Sequence, residues 1–343
     1  MLFIGATLIP IWKYQMWWVR IFDFPRAQIA LGGFVVLIAY AGLVRPTSSP
    51  EVALLIVLLL CVLFQCYKML PYTPLFPKQV KAATTEDHSC GRLSVLLANV
   101  LMENRAADRF LSLIDEYDPD VVLTVETDSW WVDRLSCLDG SYPYAVKIPL
   151  PNTYGMMLQS RLEIVDSEVK YLLDASIPSI HARIEMAEGP IVRLFCVHPR
   201  PPAPAEDTDT VERDAEILVV GRAAREEETP SIVMGDLNDV AWSHTTSLFQ
   251  RVSGLLDPRI GRGLFTTFHA GNPLLRWPLD HLFHSNHFKL VRMDRLPSWG
   301  SDHFPVFVRL QYSARAAEHQ DRPQADAADR SESREKIELA DEA

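Results

Sequence analysis

The chain has 343 residues, of which 48% are hydrophobic, and its formal net charge is −11 at pH 7. This length predicts one large domain plus extra segments, with enough chain to bury a full hydrophobic core. The negative charge counts against broad electrostatic attraction to nucleic acid, and the 5 dispersed cysteines argue against a disulfide framework.

The first 70 residues differ from the rest because they are predominantly apolar. Nearly uninterrupted apolar runs occupy residues 27–44 and 52–69, and each approaches the length that crosses a bilayer. The short polar loop between them favours a membrane hairpin over two buried core helices. Residues 1–12 are apolar but short. We interpret them as a partial span or an interfacial segment, because they lack the basic start of a removable signal peptide.

Basic residues flank this hairpin on both sides: Lys13, Arg20 and Arg26 before it, and Lys68, Lys78 and Lys81 after it. The positive-inside rule therefore predicts a multi-pass protein of the inner (plasma) membrane with its large domain in the cytoplasm. If residues 1–12 form a third span, the N-terminus lies on the opposite side from that domain. Residues 71–91 are predicted to be a stiff linker, residues 92–312 the folded domain, and residues 313–343 a disordered acidic tail.

Polar side chains follow several predicted strands of the folded domain. Asn99, Glu126 and His198 each come at the end of an apolar run. Asp236 and Asn238 follow another, and they point the same way because strand side chains repeat every two residues. A carboxylate beside an amide suits a hard cation, or a phosphate held next to one. Taken alone, Asp236 and Asn238 are better interpreted as a tight turn and His198 as a structural histidine, whereas Glu126 fits a surface turn as well as a site.

Two further motifs complete the set. Asp280 begins a short apolar strand, and Asp302 and His303 stand side by side before the last strand. In chain order, Gly235-Asp236-Leu237-Asn238, Leu279-Asp280-His281 and Gly300-Ser301-Asp302-His303-Phe304-Pro305-Val306 resemble the endonuclease/exonuclease/phosphatase, or deoxyribonuclease-I-like, superfamily over about residues 93–311. Any one motif would be a weak signal, whereas the ordered combination is specific. The N-terminal segment is similar to that of membrane-anchored bacterial members.

The resemblance implies an α/β fold: a four-layer sandwich of two mainly antiparallel β-sheets flanked by helices, here preceded by N-terminal transmembrane helices. It also implies a Mg²⁺ (or Mn²⁺) ion held by Asn99, Glu126 and Asp302. Asp236 would orient or deprotonate the attacking water. The phosphate would be contacted by Asn238, by His198, and by His303 oriented by Asp280.

The function expected from this resemblance is a membrane-anchored, metal-dependent phosphoesterase that cleaves its substrate by attack of water. A phosphatase acting on a lipid-linked or other envelope phosphate is preferred, because the chain is acidic and tethered to the lipid bilayer. A membrane-anchored nuclease with a local basic groove is the enzymatic alternative. A catalytically silent binding module and an unrelated α/β domain with ordinary turns are the remaining hypotheses, and no partner protein is implied.

Overall fold

The computed structural model describes residues 1–84, 91–202 and 208–342. Eleven strands lie within these ranges: β1 Arg92–Asn99, β2 Val121–Val125, β3 Tyr144–Ile148, β4 Met156–Ser160, β5 Ile164–Lys170, β6 Ser179–Glu185, β7 Ile191–Cys196, β8 Ser231–Asp236, β9 Asp280–His284, β10 Phe288–Arg295 and β11 Val306–Tyr312. The α-helices of the same ranges are α1 Leu2–Leu8, α2 Trp17–Arg20, α3 Arg26–Ala39, α4 Ser49–Met69, α5 Ala107–Tyr117, α6 Ser129–Leu135, α7 Val211–Glu226, α8 His244–Ser253 and α9 Ala327–Asp341.

The strands form two sheets, with the orders β10-β11-β1-β2-β4-β3 and β5-β6-β7-β8-β9. One pair in each sheet is parallel, β1–β2 in the first and β7–β8 in the second, and the other pairs are antiparallel. The predicted fold of two mainly antiparallel sheets is therefore confirmed. Since parallel strands end at the same edge of a sheet, each parallel pair delivers two successive strand ends to one place.

The core lies between the sheets, which explains why the inner strands are almost continuously apolar. Leu93, Val95 and Leu97 of β1 pack with Ile232 and Met234 of β8 in one buried cluster. The other face of β1 packs against α5 and α6, and the outer face of β8 packs against α7 and α8. A strand covered on both faces has no polar side to show, so its sequence loses the alternation typical of a half-exposed strand. The four layers are therefore the two sheets in the middle and a layer of helices on the outer face of each sheet.

The apolar N-terminal runs form two long helices at the predicted places. Residues Arg26–Val44 and Ser49–Tyr72 have mean hydropathies of 2.1 and 2.4, and 17% of each is buried within the protein. By length and composition, both helices could cross a membrane. The segment Leu2–Ile11 is a shorter apolar helix. Its predicted role as a partial span stays a prediction.

Residues 71–84 of the predicted linker pack against the folded domain. The hydroxyl of Tyr72 donates to the carbonyl of Ala241 at 2.5 Å, and Val80 is fully buried in the core between the sheets. The N–H of Ala83 donates to the carbonyl of Leu290 at 2.9 Å. These contacts attach the two long apolar helices to the folded domain. Residues 85–90 of the predicted linker lie outside the described residues.

The structure also differs from the prediction at the acidic tail, because residues Ala327–Asp341 form a helix instead of a disordered segment. The Lys336 ammonium contacts the fully buried carboxylate of Asp214 in α7 at 2.8 Å, and Arg251 of α8 pairs with Asp329 at 2.8 Å. Although burial opposes ionisation, Lys336 and Arg213 hold the pKa of Asp214 well below its usual range. Composition did not predict this helix because it contains few large apolar residues. Ion pairs attach it to α7 and α8 instead.

Candidate active site

The eight predicted site residues meet at one edge of the sandwich. Asn99 ends β1 and Glu126 follows β2, while His198 follows β7 and Asp236 ends β8. The two parallel strand pairs thus bring four of the side chains together from the two sheets. Asp280 begins β9, and the loop before β11 adds Asp302 and His303.

Glu126 is held in an unusual backbone conformation beside its strand. Its φ is +63°, a region that non-glycine residues rarely occupy, and such strain is characteristic of functional positions. Its carboxylate accepts hydrogen bonds from Asn99 Nδ2 at 2.7 Å and from the N–H of Met102 at 3.4 Å. Burial raises the pKa of Glu126 to about 7, and the negative charges of Asp236 and Asp302 act in the same direction.

Asn99 joins the carboxylates from the two sheets. Its Nδ2 donates to Glu126 and also to Asp236, the latter at 3.1 Å, while its Oδ1 accepts the N–H of Leu101 at 2.9 Å. In this orientation the amide positions Glu126 and Asp236, and its oxygen is engaged by the backbone. The predicted role of Asn99 as a metal ligand stays a prediction.

Asp236 comes close to His198 because the preceding residue is glycine. A Cβ at Gly235 would lie 1.8 Å from the carbonyl oxygen of Val197, so only glycine permits this approach of β8 to the end of β7. His198 Nε2 lies 3.9 Å from the Asp236 carboxylate. The ring of Tyr154 packs against His198 with centroids 5.7 Å apart. The glycine of the GDLN motif is thus a packing requirement of the site.

His303 stands between two carboxylates. Its Nδ1 lies 2.8 Å from Asp280, and its Nε2 lies 3.6 Å from Asp236. Burial opposes the charged imidazolium, but the two carboxylates outweigh it and raise the pKa of His303 to about 10. His303 is therefore positively charged at neutral pH, and Nδ1–H donates to Asp280.

The remaining predicted residues, Asn238 and Asp302, are fixed by backbone hydrogen bonds. Asn238 has φ of +50°, which asparagine tolerates, and its N–H donates to Asp236 at 3.0 Å. Its Nδ2 donates to the carbonyl of Pro199 at 2.9 Å, which ties the Asp236 loop to the His198 loop. The carbonyl of Asp302 accepts the N–H of Ala270 at 2.6 Å. All eight side chains therefore belong to one constellation.

Three supporting residues had no assigned role from sequence. Ser301 Oγ donates to the carbonyl of Asn99 at 2.8 Å and accepts the N–H of His303 at 3.0 Å. Thr267 Oγ1 accepts the N–H of Asp280 at 3.1 Å, and the ring of Phe268 lies 5.0 Å from that of His303. Ser301 falls inside a motif that could have directed attention to it. Thr267 and Phe268 carry no such signal, since only the folded loop brings them to the site.

His281 follows Asp280 in sequence but takes no part in this constellation. Its Nε2 lies 2.9 Å from the carbonyl of Asp239, and Arg259 donates to its Nδ1 at 2.7 Å. Burial, reinforced by Arg259, lowers the pKa of His281 well below its usual range. Adjacent residues of a strand point to opposite faces, so the Asp-His pair is divided between site and core.

The donor set fits a divalent cation. The carboxylates of Glu126, Asp236, Asp280 and Asp302 lie around the imidazolium of His303. Within the described residues Glu126 has no ion pair, and a buried anion without a cation is unfavourable. Atoms of Asp236, Asp280 and His303 also lie within 4.8 Å of one another, as in a metal site. A protonated His303 that donates to Asp280 cannot ligate a metal, so the carboxylate oxygens around Glu126 suit Mg²⁺ better.

Comparison with known proteins gives a family and a fold. Residues 96–303 match the sequence model of the Endonuclease/Exonuclease/phosphatase family, whereas no curated protein matches the chain. An endonuclease/exonuclease/phosphatase family protein from Bacteroides thetaiotaomicron is similar with a TM-score of 0.54 and 19% identity, over 65% of this chain and 99% of that one.

Two other solved structures are similar to the same part of the chain. The human Nocturnin catalytic domain with bound sulfate anion has a TM-score of 0.53 and 18% identity, over 65% of this chain and 95% of that one. D. rerio TDP2 complexed with single strand DNA product has a TM-score of 0.50 and 19% identity, over 64% of this chain and 98% of that one. At these identities the likeness shows the fold.

Proposed function

Because the chain belongs to the Endonuclease/Exonuclease/phosphatase family, whose members are metal-dependent hydrolases of phosphoester bonds, we propose that it is a membrane-anchored phosphoesterase of this kind. The observation that carries the proposal is the imidazolium of His303 held between Asp280 and Asp236, beside the cation-deficient carboxylate of Glu126. This arrangement offers positive charge to a phosphate and negative charge to a metal ion at one edge of the sandwich.

The site residues have distinct roles in this proposal. Glu126 and Asp302 would hold Mg²⁺ or Mn²⁺, and Asn99 orients Glu126 through its 2.7 Å hydrogen bond. The ion, when bound, neutralises charge that develops on the phosphoryl oxygens. His303 donates Nε2–H to a phosphoryl oxygen, and Asp280 keeps the imidazole charged and oriented.

Asp236 orients the attacking water and takes its proton. Its Oδ1 accepts the N–H of Asn238 and its Oδ2 accepts from Asn99, which fixes the plane of the carboxylate. His198 and Asn238 contact further phosphate oxygens. Positioned groups of this type contribute roughly 10²–10⁴-fold to the rate of a hydrolysis.

A phosphoester carried by a lipid is the preferred substrate. Both long apolar helices precede the catalytic domain, and aromatic and apolar residues connect them to it: Phe24 and Tyr72 from the N-terminal segment pack with Val240, Trp242 and Leu279 near the site. The net charge of −11 counts against a nucleic acid. A membrane-anchored nuclease remains the second candidate, supported by the similarity to a protein whose structure contains a single strand DNA product. The multi-pass location in an inner membrane is part of the same proposal.

Hydrolysis by the purified full chain tests the proposal. Plasmid DNA, RNA, a chromogenic phosphodiester and a polyprenyl pyrophosphate are each offered with and without Mg²⁺. We expect metal-dependent hydrolysis by the wild type. This activity should be lost in Asp236→Ala and His303→Ala and kept in the exposed control Asp108→Ala. Release from the lipid substrate alone supports the phosphatase, and nicking of DNA supports the nuclease. Metal binding without hydrolysis of any substrate would indicate a binding module.

A further inference from the structure

An ordered loop with an apolar tip stands beside the site. We call residues 268–277 the lip. The N–H of His269 donates to the carbonyl of Leu275 at 3.0 Å, and Phe268 pairs with Trp277 in an antiparallel bridge. At its tip the side chains of Leu274 and Leu275 are 77% and 44% exposed. The lip is therefore a hydrogen-bonded hairpin that presents two consecutive leucines to its surroundings.

The base of the lip contacts the catalytic groups. Phe268 packs on the ring of His303 at 5.0 Å, and the N–H of Ala270 donates to the carbonyl of Asp302 at 2.6 Å. The lip thus contacts the proposed phosphate-binding imidazole directly and also the backbone of the neighbouring Asp302.

The tip of the lip contacts the first long apolar helix. Gln28 Nε2, in the first turn of α3, donates to the carbonyl of Leu274 at 2.7 Å. Behind it, the ring of Trp277 meets that of Phe24 at 5.7 Å, just before α3 begins. The leucine tip therefore lies level with the start of the helix that could cross a membrane. Aromatic residues at this level are typical of a membrane–water interface.

Exposure of this tip to water is unfavourable in a way that a bilayer would relieve. Burying a leucine side chain in an apolar environment is favourable because it removes apolar surface from water. Single exposed leucines are common on protein surfaces, but here two adjoin a helix of mean hydropathy 2.1. On the other flank Arg276 and Arg295 lie over the ring of Phe304 at 5.0 and 4.3 Å, so positive charge borders the apolar tip. Apolar residues bordered by arginines match the acyl and phosphate layers of a membrane surface.

We propose that Leu274 and Leu275 insert into the bilayer that holds the α3–α4 hairpin, and that the lip thereby fixes the catalytic edge at the membrane surface. The substrate is then a phosphoester in the headgroup of a membrane lipid, which reaches His303 without leaving the bilayer. This inference rests on the proposed membrane anchoring, since without it the tip has no bilayer to enter.

Fluorescent labels at three positions of the full chain test the inference. The background replaces Cys66, Cys90 and Cys137 by alanine, and one cysteine is introduced by Leu274→Cys, Leu60→Cys or Val165→Cys. Leu60 is 58% exposed near the middle of α4. Val165 is 41% exposed on β5, at the edge of the second sheet, and serves as an apolar control away from the lip. Each labelled protein is reconstituted into vesicles of phosphatidylcholine and phosphatidylglycerol with or without a spin-labelled acyl chain.

The expected result is loss of fluorescence and a blue shift for the labels at positions 274 and 60, with the label at position 165 unaffected. Quenching of the label at position 60 but not of the label at position 274 would overturn the proposed insertion of the lip, while the proposed membrane anchoring would stand. Absence of quenching at both positions would overturn both the proposed membrane anchoring and the proposed insertion of the lip. Metal-dependent hydrolysis of a soluble chromogenic phosphodiester, measured on the same samples, reports separately on the catalytic proposal.

Discussion

The imidazole of His303 is held by Asp280 through a hydrogen bond of 2.8 Å between Nδ1 and Oδ2. Both groups are almost fully buried, and the charge of Asp280 is the main influence that favours the imidazolium against the effect of burial. A phosphate approaching Nε2 therefore meets a donor that is already charged and oriented, so little reorganisation is needed during the reaction. This relationship leads to a prediction about pH.

Replacement Asp280→Asn should narrow the active pH range and slow turnover. His303 must be protonated to bind a phosphoryl oxygen, and its raised pKa of about 10 keeps it charged up to alkaline pH. Without the Asp280 charge the pKa falls, so activity should be lost at a lower pH as pH rises. We expect kcat to fall about 100-fold. The measurement is a pH–kcat profile with the exposed control Asp139→Asn, and an unchanged alkaline limb would contradict the assignment.

Glu126→Gln should abolish metal-dependent stabilisation. A ligand that binds only the folded state raises its stability by mass action, so Mg²⁺ should raise the Tm of the wild-type protein. The amide of glutamine keeps the size of the side chain but removes its charge, and the shift should disappear. Thermal melting with and without Mg²⁺ measures this, with Glu116→Gln on the outer helix α5 as the control.

Without metal and at alkaline pH, Glu126→Gln should be at least as stable to heat as the wild type, which reverses the order expected with Mg²⁺. Burial raises the pKa of Glu126 from 4.5 to about 7, so the folded state favours the protonated carboxyl. The protonated Glu126 carboxyl therefore contributes to the free energy of unfolding. This contribution is complete below pH 4.5 and is lost as pH rises through 7. Above pH 7, metal-free Glu126→Gln should therefore melt at or above the temperature of the metal-free wild type. A lower Tm for the variant under these conditions would show that Glu126 has a structural cation partner.

Gly235→Ala should destabilise the fold and disturb the site at once. The added Cβ would lie 1.8 Å from the carbonyl oxygen of Val197, and the strand ends must separate to accommodate it. Overpacking of this kind costs about 1–3 kcal/mol. Gly140→Ala is the matched control, because a Cβ at Gly140 meets no heavy atom within 4 Å. Denaturant unfolding should show the loss in the first variant alone.

The motifs could be found from sequence because strand geometry makes them local. Asp236 and Asn238 are two residues apart at a strand end, and the period of two is enough to predict their common direction. By contrast, Ser301 contacts the carbonyl of Asn99 across 202 residues, and Thr267 reaches Asp280 through a loop with no repeating pattern. Such contacts depend on the folded chain path, which no local spacing encodes.

The tail escaped prediction for a different reason. Hydrophobic patterning detects helices that bury apolar faces, and the face of α9 that meets α7 is anchored by Lys336 on Asp214. The buried acid lies in one helix and its partner 122 residues later in another. The same logic applies to residues 71–84, which are attached by two separate buried residues, Tyr72 and Val80, and by hydrogen bonds rather than by an apolar run.

Lys336→Met should detach the C-terminal helix and lower the stability of the domain. The substitution keeps most of the aliphatic stem but leaves the fully buried Asp214 with Arg213 as its remaining cation partner. Removing one member of a buried ion pair costs about 3–5 kcal/mol, and Arg213 should keep the loss near the lower bound. Thermal unfolding and protease cleavage near residues 327–341 measure the effect.

Two comparisons separate the ion pair from a general effect of charge. Lys13→Met removes the exposed partner of Glu332, whose side chain lies on the same helix, and should change the unfolding temperature little. The double variant Asp214→Asn/Lys336→Met removes both charges and should recover part of the stability lost in Lys336→Met, because no buried carboxylate is left short of a partner. A double variant that is less stable than Lys336→Met would mean that Arg213, Thr210 and Thr245 satisfy Asp214 without Lys336, and that α9 docks through its apolar contacts.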